Sequence, residues 1–159
     1  MSYEELIELN NLLSKKIDEA YNLKYSIKNF DPIYLSIFLW KRINKIRDII
    51  VEEEYLDNLC VPEGKDGVKK IENTPYYKTL KLGKEINIQS IFNSNHVNET
   101  HYERIIKIKK SIENNGYPYK EQYIIVYNNE NKIRDGQHRA CTLKYLYGNI
   151  KIPIMRIIM

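Results

Sequence analysis

The residues best equipped for chemistry lie together near the C-terminus, in Lys132-Ile133-Arg134-Asp135-Gly136-Gln137-His138-Arg139-Ala140. The stretch reads as a strand end, a tight turn and the start of a short helix. A helix start exposes backbone N–H groups with no intrahelical partner and carries the positive end of the helix dipole, so it attracts phosphate. Gly136 permits the close backbone approach or unusual dihedrals that such a turn needs. Arg139 offers a planar fork of donors, His138 can donate to a phosphoryl oxygen, and Asp135 can hold Mg2+ or accept a proton from a hydroxyl nucleophile. A competing reading has Asp135 capping the helix and pairing with Arg139, which requires no ligand. Spacing alone leaves both open.

The elements that must position this turn flank it. Tyr123 to Tyr127 reads as a strand, Asn128 to Asn131 as a turn and Lys132 to Arg134 as a second strand. The helix after the key turn runs through Leu143 and Leu146 to Gly148, and Lys151 to Ile158 supplies a last strand. Upstream, Thr100-His101-Tyr102-Glu103 is a capping box for a helix with Ile105, Ile108 and Ile112 inward and Gly116 as its stop. Ile86, Ile88 and Ile91 suggest an earlier strand. Residues 61 to 83, punctuated by Pro62, Gly64, Gly67, Pro75 and Gly83, read as a long loop or lid. Within it, Thr74 and Tyr76 could hold a substrate, although a Pro-anchored turn with packed rings would look the same.

Residues 1 to 60 read as a helical extension. Ser2 and Glu5 form a capping box for a first helix over residues 2 to 21, with Leu6, Leu9, Leu13, Ile17 and Ala20 on one face. Asp31-Pro32 signals a second helix running to about Leu59, with Leu39, Ile43, Ile46 and Ile50 as its stripe. The pair would form a helical hairpin, either packed on the C-terminal domain of residues 84 to 159 or serving as a homodimer surface.

The net charge of +4 is uneven. Residues 81 to 159 carry 13 Lys and Arg against 7 Asp and Glu, whereas residues 1 to 80 carry 12 against 14. A basic half suits a nucleotide, a sugar phosphate or nucleic acid, and equally an ordinary solvated surface. Cys60 and Cys141 have no CxxC spacing, and the first residues lack the pattern of a signal peptide, so a cytoplasmic location is expected. The most apolar run, Ile33 to Trp40, is too short to span a bilayer. His96, His101 and His138 have no Cys or carboxylate spacing that would make them a metal site.

The ordered set Ser111-Ile112-Glu113-Asn114-Asn115-Gly116, a strand, Asp135-Gly136-Gln137-His138-Arg139, a helix and Gly148 resembles the ParB/sulfiredoxin superfamily over residues 84 to 159. The resemblance implies a small α/β fold of mixed sheet and helices that binds ATP or CTP. Gly136, Gln137, His138 and Arg139 would meet the phosphates, and Arg104, Lys107 and Ser111 would face the nucleoside. Sulfiredoxins carry a reactive cysteine where this chain has Gln137, so sulfinic acid repair is not expected. ParB partition proteins carry a second arginine at the place of His138 and continue into a helix-turn-helix, so DNA partition is not expected either. The Asp-Gly-x-His-Arg form is most similar to the small-molecule kinase branch, in which the aspartate is essential. That implies an ATP-dependent phosphotransferase or nucleotide hydrolase using Mg2+ and a small hydroxyl acceptor, with Asp135, His138 and Glu99 as its catalytic groups. A nucleotide-binding switch without turnover is the alternative, and nucleic-acid binding the weaker one.

Overall fold

The computed structural model describes residues 2–21, 38–83, 101–120 and 122–159. Helix α1 (Tyr3–Tyr21) starts on the expected capping box: the Ser2 N–H donates to the Glu5 carboxylate, and the Glu5 N–H donates to Ser2 Oγ at 3.2 Å. Each bond satisfies a donor that a helix start otherwise leaves exposed.

Downstream the chain departs from the expected helical hairpin. A helical turn at residues 38–40 and a short 3-10 turn at Ile43–Lys45 give way to strand β1 (Asp48–Tyr55). The start expected at Asp31-Pro32 lies outside the described residues. The β-branched run Ile49-Ile50-Val51 favours extended backbone, and all eight residues of β1 find antiparallel partners, from Asp48 opposite Ile158 to Tyr55 opposite Lys151. Ile49 is buried while Ile50 is 36% exposed, so alternation of period two replaces the helical stripe.

The segment expected to be a loop is also structured. Strands β2 (Cys60–Glu63) and β3 (Gly67–Lys70) form a hairpin, followed by a 3-10 turn and helix α2 (Pro75–Leu82). Thr74 caps α2 by accepting the Tyr77 N–H at 3.2 Å, Pro75 occupies the first helical position and Gly83 closes the helix at φ +66°. The signals read as punctuation are helix boundaries. Helix α3 (His101–Asn115), strand β4 (Ile124–Tyr127), helix α4 (Gln137–Tyr147) and strand β5 (Lys151–Ile158) follow close to expectation.

The protein is thus α/β. Its main sheet has the order β1-β5-β4, with β1 antiparallel and β4 parallel to the central β5. A parallel pair needs a crossover, and α4 supplies it. Both faces of the sheet are covered, so β4 and β5 are almost continuously apolar. Ile124, Val126, Ile152 and Ile154 face a core built with α2, α3 and α4, whereas Ile125, Tyr127, Met155 and Ile157 face Leu13 of α1 together with Leu39 and Ile46. No helix among the described residues is long and apolar enough to cross a membrane.

Lys132 to Arg134 does not form a full strand. It makes isolated bridges on both sides instead: Cys60 pairs with Lys132, and Ile125 pairs with Asp135. The stretch therefore ties β2 to β4. Arg156, at the far end of β5, holds the preceding turn by donating to the carbonyls of Asn128 and Glu130, to Asn131 Oδ1 at 3.0 Å and to Glu52.

Ile154 is fully buried at the centre of this sheet. Ile154→Ala is expected to lower unfolding free energy by about 2–5 kcal/mol, and Ile50→Ala by no more than about 0.5 kcal/mol, both measured by urea unfolding.

Candidate functional site

The key turn is fixed before its side chains are considered. The Arg134 N–H donates to the Ile125 carbonyl at 2.7 Å, and the Ile125 N–H donates to the Asp135 carbonyl at 3.0 Å. One residue later Gly136 stands at φ +96° as the N-cap of α4 and has no side chain to bond the first amides. A Cβ there would lie 2.9 Å from Ile124 Cγ1, 3.1 Å from Arg139 Nη2 and 3.2 Å from Ile124 Cα. Both its dihedral and its surroundings therefore require glycine.

Asp135 and Arg139 form an ion pair across one turn, with Nη2 donating to Oδ2 at 3.0 Å. Their side chains are 11% and 16% exposed, so the pair is largely out of water. Arg139 Nη1 donates to the backbone carbonyl of Gln122, which precedes β4. The pairing reading of Asp135 and Arg139 is thus the one the geometry realises, while the N-cap position belongs to Gly136.

His138 is the second residue of α4 and Tyr76 the second of α2. Their rings meet at 4.2 Å between centroids, tilted by 49°. Burial raises the pKa of the Tyr76 hydroxyl and Cys141 adds to the shift, while the charge of Arg104 acts against it. Arg104 lies in the first turn of α3, and its charge acts on the same hydroxyl that sits beside the His138 ring. Arg104, Lys107 and Ser111 follow one side of α3 next to the buried Ile105 and Ile112. Of the three, Lys107 is exposed and the others half-buried.

Thr74 lies inside the frame of the site. It is 1% exposed, its hydroxyl donates to the Ile71 carbonyl at 2.7 Å and caps α2, and it lies 3.2 Å from Cys141 Sγ. Its hydroxyl is thus taken up by the start of α2, two residues before Tyr76. Cys141 is fully buried, and burial pushes its thiol up to about 11, so it is a packing residue. Glu99 and His96 lie outside the described residues. Among the described residues, no three His, Cys, Asp or Glu side chains gather as a metal site.

Two contributors escape sequence reasoning. Gln122 acts through its backbone carbonyl, which carries no signal in residue type. Tyr117 bridges the start of β4 to β5, accepting the Ile124 N–H at 2.7 Å and donating to the Pro153 carbonyl at 2.7 Å. Burial raises its pKa, so it remains a donor.

Gly136→Ala is expected to cost about 1–3 kcal/mol, because it combines left-handed backbone with a clash against β4. Gly64→Ala, at φ +62° with nothing within 4 Å of the added Cβ, is expected to cost about 1 kcal/mol. Paired thermal melts compare them. The chain matches no protein-family model, no curated protein and no solved structure.

Proposed function

We propose that this protein binds a nucleoside triphosphate at the start of α4 and transfers its terminal phosphoryl group to a small hydroxyl compound. The start of α4, where Gly136 leaves the first amides without a side-chain cap and the His138 ring lies against Tyr76, carries the reading. Oriented amides and one or two cations are what a phosphate group needs, and the resemblance to the ParB/sulfiredoxin superfamily rests on the same turn.

The donor set fits a phosphate chain. Backbone amides of Gln137 and His138, the His138 ring and the Arg104 guanidinium would hold it, with Lys107 and Ser111 toward the nucleoside. Arg139 is already engaged by Asp135 and Gln122. Mg2+ would arrive with the nucleotide and neutralise phosphate charge, a role for which one protein carboxylate suffices; Asp135 is the carboxylate at the turn. Phosphoryl transfer depends mainly on positioning and electrostatic stabilisation, so no covalent nucleophile is required. Tyr76 would contact the acceptor, and Glu99 would supply the second carboxylate.

The buried Asp135–Arg139 pair favours one rival, a nucleotide-binding module without turnover, because an aspartate held by arginine is well suited to shaping the turn. Isotopic phosphate transfer from ATP and from CTP, with a panel of small alcohols, separates the two. The phosphotransferase reading predicts acceptor-dependent transfer that falls about a hundredfold in Glu99→Gln with little change in nucleotide affinity. Nucleotide binding without transfer to any acceptor or water would leave the module. His138→Ala is expected to weaken nucleotide binding about tenfold in either case, measured by calorimetry.

A further inference from the structure

The guanidinium of Arg139 touches three parts of the fold at once. Nη2 bonds Asp135 at 3.0 Å, Nη1 bonds the carbonyl that leads into β4, and Nη2 lies close over Gly136, 3.1 Å from where a Cβ would stand. Arg139 and Asp135 are nearly buried. An arginine that reads a phosphate presents its planar fork outward and exchanges water for the ligand. This one is spent inside the protein.

We propose that Arg139 is the positioning residue of the turn, holding the start of α4 onto the entry of β4, and that it is not a phosphate ligand. The proposal rests on the phosphate site described above and assigns its parts. Asp135 is the counter-charge that keeps the guanidinium in place. Gly136, required by its own backbone and by Ile124, also leaves room for the arginine beside it. The side-chain cations that meet the ligand then come from His138 and from Arg104 on another helix. A lysine at 139 is a compact point charge that cannot divide two parallel donors between a carboxylate and a carbonyl in this way.

Arginine-specific modification of the intact wild-type chain with phenylglyoxal, mapped by mass spectrometry with and without Mg-ATP and pyrophosphate, tests the assignment. Arg104 is expected to react and to be protected by the anion, while Arg139 stays unmodified in both states. Asp135→Asn should make Arg139 reactive. It should also weaken the binding of pyrophosphate without Mg2+ about tenfold, although a negative charge has been removed beside an anion site, because the amides of α4 lose their placement. That affinity is read at a temperature where the variant's circular dichroism matches wild type. Modification of Arg139 in the wild type with protection by ATP, or tighter binding of Mg2+-free pyrophosphate by Asp135→Asn, would overturn the proposal. Should the wild type bind neither ATP, CTP nor pyrophosphate, the phosphate reading fails, whereas an Arg139 shielded in wild type and exposed in Asp135→Asn still marks it as the internal brace.

Discussion

The five residues from Asn131 to Asp135 are bonded along both edges, and the rest of the site depends on that. On one side the Cys60 N–H donates to the Asn131 carbonyl and the Ile133 N–H donates back to the Cys60 carbonyl; on the other, Arg134 and Asp135 exchange bonds with Ile125. Ile133 between them is fully buried. A backbone satisfied on both edges in a water-poor setting has few alternative conformations, so the turn that follows leaves this stretch in one direction only. The start of α4 is aimed by this backbone pairing before the side chains of Asp135 and Arg139 contribute anything.

The Asp135–Arg139 pair then converts that aim into a fixed distance between α4 and β4. Removing one member of such a largely desolvated pair leaves a stranded charge, at a cost of about 3–5 kcal/mol. The other end of α4 is secured separately, by Lys144 bonded to Asp57 and to Glu72 at 2.8 Å. The helix is anchored at its first and last turns by different parts of the chain, leaving the ring of His138 at its start against Tyr76.

The C-terminal elements were legible because local and tertiary preferences agree there. Gly116 and Gly148 stop helices at positive φ, and the apolar run of Lys151 to Ile158 is a strand buried on both faces. The failures have equally specific causes. Leu39, Ile43 and Ile46 fall at a helical spacing that runs on to Ile50, but the branching of Ile49-Ile50-Val51 and their pairing with β5 decide for a strand. In residues 61 to 83, Pro75 and Gly83 mark where α2 begins and ends, and a turn-rich composition hid that. At the site, the residue types and the alternative of an Asp135–Arg139 pair were both readable. Which one is realised depends on Gln122 and Ile124, partners from β4 and its approach that spacing does not reveal.

The central claim is that the start of α4 is where a nucleotide's phosphates sit. Backbone amide resonances of the 15N-labelled protein, followed during titration with Mg-ATP and Mg-CTP, address it residue by residue. The largest shifts are expected at the amides of Gln137 and His138, with smaller ones at Tyr76 and Arg104 and none along β1. Saturable shifts centred on any other element, or none at millimolar nucleotide, would contradict it.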